Sequence, residues 1–143
     1  MSNFQNPTDE ELVNVLKRSK DIAVVGLSGE VTKPSHEVAE YLQSQGYEII
    51  PVNPNVDTVL GRKSHDSLLD LAGNVDIVNV FRRSHELPAI VEQAIKINAK
   101  VLWAQLDIVD EAAAKRAQEA GMTVVMDKCL KIEHSRLLGK EKI

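Results

Sequence analysis

Short, almost continuously apolar runs recur along this chain, each followed by a turn and then a helical stretch, and that alternation restricts the fold more than any other property. Ile22-Ala23-Val24-Val25-Gly26-Leu27, Tyr47 to Val52, Val75 to Phe81, Val101 to Ala104 and Thr123 to Met126 read as five strands. Runs of this length with no polar alternation suit strands covered on both faces. Between them, Pro34 to Gly46, a short patch around Leu68 to Leu71, Leu87 to Ala94 and Asp110 to Ala120 read as helices, with Gly46 and Gly121 as stops. Thr8-Asp9-Glu10-Glu11 has the form of a capping box, so residues 1–20 hold an N-terminal helix that ends near Ser19. From Asp127 to Ile143 the chain reads as a polar tail. Strands alternating with helices at this spacing imply right-handed crossovers and a mostly parallel sheet. The expectation is one α/β domain over residues 1–143, a three-layer, doubly wound, Rossmann-like fold of about five strands.

Composition then narrows the function. The chain has 17 basic and 21 acidic residues among 143, a formal charge of −4. A general nucleic-acid binder carries a basic excess to displace counterions, and 3% aromatic residues leave little for base stacking, so no nucleic-acid partner is expected. A single cysteine forbids an internal disulfide. With no apolar leader and no run of about 20 apolar residues, the expected setting is cytoplasmic, without a membrane partner.

Ligands of doubly wound folds bind beyond the carboxyl ends of the strands, so the segments that follow each strand hold the candidate residues. After the first strand comes Gly26-Leu27-Ser28-Gly29, then Lys33-Pro34-Ser35 at the start of a helix whose free amides and dipole favour an anion. This is not the dinucleotide fingerprint G-x-G-x-x-G, which would require glycine at Ser28 and Val31. The glycines serve either a phosphate or simply a tight turn. The second strand leads to Asn53-Pro54, where an NAD site would place Asp or Glu on the ribose; the neutral amide disfavours NAD and equally suits a plain turn. Arg82 and Arg83 follow the third strand and can pair with phosphate, or stand as a solvated surface pair. Trp103 belongs to the core by its residue type, whereas Gln105 offers its amide either to a ligand or to backbone groups. Cys129 lies between Lys128 and Lys131, cations that enrich a thiolate, with His134 as a candidate base; it is a weak catalytic candidate. His36, His65 and His85 are scattered without metal-ligand spacing, so no metal is expected.

Taken together, Ile22-Ala23-Val24-Val25-Gly26-Leu27-Ser28 with Lys33-Pro34-Ser35, Ile50-Pro51-Val52-Asn53-Pro54, Val80-Phe81-Arg82-Arg83, Trp103-Ala104-Gln105-Leu106 and Met126-Asp127-Lys128-Cys129 with Lys131-Ile132-Glu133-His134 resemble a known set. The chain is similar, from about Asp21 to Arg136, to the small stand-alone CoA-binding proteins, relatives of the nucleotide-binding domain of the succinyl-CoA synthetase α subunit. That resemblance implies CoA or an acyl-CoA as ligand, held through its adenosine and phosphate portion. By carry-over, Gly26, Ser28, Lys33 and Ser35 lie near the pyrophosphate, Asn53 and Pro54 border the adenosine, and Phe81 and Arg82 line the opposite wall. The synthetase's phosphohistidine loop and ATP-grasping domain have no counterpart in this chain, so ligase activity is not carried over. The closing motif also places the Cys129 thiol where it can meet the CoA thiol in a mixed disulfide.

Two other classes stay open at this stage. One is an NADP-linked oxidoreductase in which Arg62 or Lys63, past the second strand, reads the extra ribose phosphate. The other is an interaction protein with a vestigial nucleotide site. No protein partner is implied, and self-association into a homo-oligomer is left open.

Overall fold

The computed structural model describes residues 4–71 and 73–139. Its five long strands are β1 (Asp21–Val25), β2 (Glu48–Val52), β5 (Ile77–Val80), β6 (Val101–Ala104) and β7 (Thr123–Val125). All neighbours pair in parallel, in the spatial order β2-β1-β5-β6-β7. The helices are α1 (Asp9–Arg18), α2 (Pro34–Ser44), α3 (Leu87–Lys96), α4 (Glu111–Glu119) and α5 (Leu130–Leu138).

Strand alternation divides the core in two. Ala23, Val25, Val78, Val80, Leu102 and Ala104 face α3 and α4, where Ala113, Ala114 and Ala117 let α4 approach closely. Ile22, Val24, Ile77, Val101 and Trp103 face the other way, against Leu12, Val15 and Leu16 of α1, Val38, Ala39 and Leu42 of α2, and Leu130 of α5. The sheet is therefore the middle layer of three, as the uninterrupted apolar runs require. Trp103 is fully buried, and its indole N–H donates to the Lys128 carbonyl at 2.8 Å.

Winding runs outward from β1 to β2, then crosses back to β5 on the other side of β1. The winding therefore reverses between β1 and β5, and the crevice above their carboxyl ends is the expected ligand position. Gly26 closes β1 at φ +89°, where a Cβ would lie 2.7 Å from the Phe81 carbonyl oxygen. Only glycine fits there, because the two strand ends come together at the reversal.

Two elements depart from the sequence expectation. The stretch from Asp127 is not merely a polar tail: Leu130–Leu138 is a helix. Its buried side chains are Leu130, Glu133 and His134, so the inward face is largely polar and leaves no apolar stripe to read. Glu133 is satisfied by Arg136 at 2.7 Å, and Arg136 continues to both carboxylate oxygens of Asp9 on α1. Second, residues between β2 and β5 form a small antiparallel hairpin, β3 (Thr58–Val59) and β4 (Arg62–Lys63), turning through Leu60 and Gly61, both at positive φ. The short helical patch expected around Leu68 to Leu71 is present as a single 3-10 turn, Leu68–Asp70, with a capping box from Ser67 at its start.

The β7 edge carries an unusual cover. Asn6 donates from Nδ2 to the Met126 carbonyl and accepts the Met126 N–H at Oδ1, both at 2.9 Å. One side-chain amide thus gives Met126, the residue just past β7, the two backbone pairings a neighbouring strand would supply.

Candidate functional site

The loops above β1, β2 and β5 are tied into one frame. Ser28 donates its backbone N–H to Ser35 Oγ at 2.9 Å, and Ser28 Oγ accepts the Glu30 N–H at 3.0 Å. Asn53 donates from Nδ2 to the Leu27 carbonyl at 2.9 Å, while its Oδ1 accepts the Asn55 N–H at 2.9 Å and closes an Asx turn. A Cβ placed on Gly26 would also lie 3.4 Å from Arg82 Cδ, so the β5 loop lies directly against the glycine turn. Gly26, Leu27, Ser28, Ser35 and Asn53 are thus brought together, chiefly through contacts with one another. Pro54 follows Asn53 in the exposed part of the same turn.

Helix α2 starts beside this frame with Lys33 at the N-cap and no side-chain cap, and Pro34 takes the first helical turn. The uncapped amides and the aligned dipole concentrate positive potential at that end. Lys33 is mostly exposed and sits 3.8 Å from Glu30, a loose surface pair. Lys131 is drawn instead to Glu37 at 2.8 Å, and this bonded ammonium holds the Glu37 carboxyl below its ordinary range.

From the start of α2 a cleft of about 640 Å³ extends over the carboxyl ends of β5 and β6. Pro34 and Val38 form one wall, Phe81, Arg82, Arg83 and Ser84 the second, Gln105 to Ile108 the third, and Cys129 stands at the start of α5. Arg82 is half-buried and Arg83 exposed, and among the described residues neither guanidinium is in an ion pair. In a protein with net charge −4, two uncompensated guanidiniums in a cleft are an anion-selective feature.

Gln105 performs structural work on the other side of the cleft. Its Oε1 accepts from Asn79 Nδ2 and from the Leu130 N–H, each at 3.0 Å, joining β5 to the first turn of α5. Asn79 is fully buried and also donates to the Trp103 carbonyl at 3.2 Å. It escaped the sequence reading because it sits inside an apolar run; being the one polar residue of a strand otherwise written Ile77, Val78 and Val80 was its signal. Val38 and Ile108 were not singled out either, since apolar residues beside turns read as core, and Pro34 and Leu106 entered only as members of longer motifs. Cys129 is buried at the N-cap of α5, and His134 has Nδ1 2.8 Å from the Tyr41 hydroxyl, with its ring packed edge-on against Tyr41 and Tyr47. Arg62 lies on the β3–β4 hairpin in an ion pair with Glu48 at 2.7 Å, away from the cleft lining. Among the described residues there is no group of three or more His, Cys, Asp or Glu that could hold a metal ion, and no helix long and apolar enough to cross a membrane.

A family model described as "CoA binding domain" matches residues 20–135. The chain belongs to that family. This CoA binding domain is 49% identical over 132 residues to the uncharacterized protein YneT of Bacillus subtilis (strain 168), covering 92% of this chain and 98% of that protein. It is 31% identical over 83 residues to acetate–CoA ligase [ADP-forming] II of Archaeoglobus fulgidus, where the match takes in 57% of this chain and only 12% of the ligase. Among solved structures, a hypothetical protein from Pyrococcus horikoshii OT3 superposes with a TM-score of 0.90 at 39% identity, covering 97% of this chain and 100% of that one. A protein from Thermus thermophilus follows with a TM-score of 0.89 at 37% identity, covering 92% and 100%. The α/β architecture is common to these neighbours, and the CoA binding domain corresponds to a small part of the ligases it resembles.

Proposed function

We propose that this chain binds CoA or an acyl-CoA through the adenosine and phosphate portion and acts as a carrier, sensor or protective module, without ligase chemistry of its own. The observation that carries the reading is the pair of unpaired guanidiniums, Arg82 and Arg83, beside the Gly26 turn and the uncapped start of α2. A helix terminus and two free guanidiniums suit a ligand with several phosphates, and apolar cleft walls suit its uncharged remainder. In this reading Gly26, Leu27, Ser28, Lys33 and Ser35 surround the pyrophosphate, Asn53 and Pro54 border the adenosine, and Phe81, Arg82, Arg83 and Gln105 form the far wall. Membership in the CoA binding domain family supports the choice of ligand.

Calorimetric titration with CoA, dephospho-CoA, NADP and acetyl-CoA tests it. CoA should bind, dephospho-CoA more weakly, and NADP least. Binding of NADP without CoA would reverse the reading in favour of an oxidoreductase, and no binding at all would leave an interaction protein with a vestigial site. Replacing Arg82 and Lys33 together by alanine should weaken CoA binding and flatten its dependence on salt. Unchanged affinity would remove both cations from the site.

A further inference from the structure

We propose that the third wall of the cleft, above β6, is a subsite for the hydrocarbon chain of an aliphatic acyl-CoA, so that the preferred ligand is a thioester and not free CoA. The inference rests on the CoA reading above and adds the identity of the acyl group. Strand order supplies its direction. With adenosine beside Asn53 at the end of β2 and the pyrophosphate at the Gly26 turn of β1, the ligand's sulfur end extends over β5 and β6, at about 4.8 Å per strand.

Leu106 and Ile108 are the apolar side chains of that wall; Val38 and Phe81 face the cleft from the other two walls, and Cys129 adds a small apolar surface. Leu106 is 53% exposed and is continuous with the cleft wall it lines, and Val109, two residues on, is 41% exposed. A pliant loop would fold these side chains inward. This one is braced open: the Asp107 N–H donates to Asp127 Oδ1 at 2.7 Å, the Val109 N–H to Ser84 Oγ at 2.9 Å and the Ile108 N–H to the Gln105 carbonyl at 3.0 Å. Asp107 and Asp127 both sit at positive φ, a conformation that non-glycine residues hold only where surrounding contacts impose it. The outcome is a preformed apolar rim facing the end of the cleft where an acyl chain would emerge. An acyl group ending in a carboxylate is disfavoured there, because Asp107 lines the same wall and the two arginines are engaged by phosphate.

Titrating the protein with CoA and with acetyl-, butyryl-, hexanoyl- and succinyl-CoA tests the subsite. A fully buried methylene tightens binding about fourfold. At an open rim that buries about half of each one, the expected gain is roughly twofold per methylene, or at least about tenfold from acetyl to hexanoyl. Leu106→Ser, a change at an exposed side chain that leaves the core intact, should flatten that series. Equal affinity for CoA and hexanoyl-CoA would overturn the acyl subsite while leaving the CoA reading in place. Tighter binding of succinyl- than butyryl-CoA would overturn it by showing that the arginines read the acyl group. Failure of every CoA species to bind would overturn both readings together.

Discussion

Replacing Gly26 by alanine separates two costs that the β1–β5 reversal imposes on one residue. The first is conformational: at φ +89° an L side chain is strained, at about 1–2 kcal/mol. The second is steric, because the new Cβ would lie 2.7 Å from the Phe81 carbonyl oxygen, a backbone atom that cannot swing aside. Forcing β1 and β5 apart at that point compares with overpacking a core, about 1–3 kcal/mol more. The sum is about 2–5 kcal/mol, a large share of the total stability of a typical domain, which is roughly 5–15 kcal/mol. Gly46 is the internal control, with φ +102° and nothing within 4 Å of an added Cβ, so Gly46→Ala should pay only the first cost. Urea denaturation of the three proteins, with equal m-values as the check on two-state behaviour, reads the difference directly. Gly26→Ala should be the less stable variant by about 1–3 kcal/mol, and, on the function proposed above, its affinity for CoA should fall as the turn opens. Equal stabilities within about 0.5 kcal/mol would refute the argument that carbonyl approach, and not φ alone, dictates glycine at this position.

Three further outcomes are expected. Incubation with oxidised CoA should add one CoA to Cys129, the thiolate attacking one sulfur of the CoA disulfide while the other CoA departs as its thiol; intact mass spectrometry should show the adduct, absent from Cys129→Ser and reversed by dithiothreitol. Tyr47 donates its hydroxyl to the Leu16 carbonyl at 2.6 Å, and burial pushes its pKa up to about 12. Below about pH 10 its contribution to stability is complete, and it is lost as pH rises through that folded value, since the unfolded tyrosine ionises first. Denaturation midpoints at pH 9 and pH 12 should therefore converge in Tyr47→Phe relative to the native chain, and parallel loss in both would exclude this tyrosine. Asn6→Ala should cost about 1–3 kcal/mol through two lost backbone pairings and should raise self-association by uncovering the β7 edge, as sedimentation would detect; unchanged melting and sedimentation would show the cover to be idle.

How much of this was legible depended on whether burial leaves a trace in residue type. The strands β1, β5 and β6 were readable because both faces are packed, which forces runs such as Val101-Leu102-Trp103-Ala104. Helix α5 was not, because its inward face carries Glu133 and His134, and His134 meets Tyr41 and Arg136 meets Asp9 only in the folded chain. The β3–β4 hairpin was hidden for a related reason: Leu60 occupies a left-handed turn position for which sequence reasoning expects Asn or Gly. At the cleft, Gly26, Arg82 and Gln105 could be located from strand ends alone, as the fold demands. The bond from Ser28 to Ser35 ties the β1 loop to the first turn of α2, that from Asn53 to Leu27 joins two loops, and no spacing rule announces either.

The bond between Asp9 and Arg136 bears on how this polypeptide can be connected. It brings the start of α1 to the last turns of α5, with Arg136 donating to both oxygens of one carboxylate at 2.8 and 2.9 Å. The first and last helices therefore meet at one spot on the surface, on the α1–α5 side of the sheet. A truncation that removes α1, or a fusion that displaces it, would therefore loosen α5 as well: Arg136 would keep only Glu133, at 2.7 Å, and α5 would lose one of the two helices it packs against.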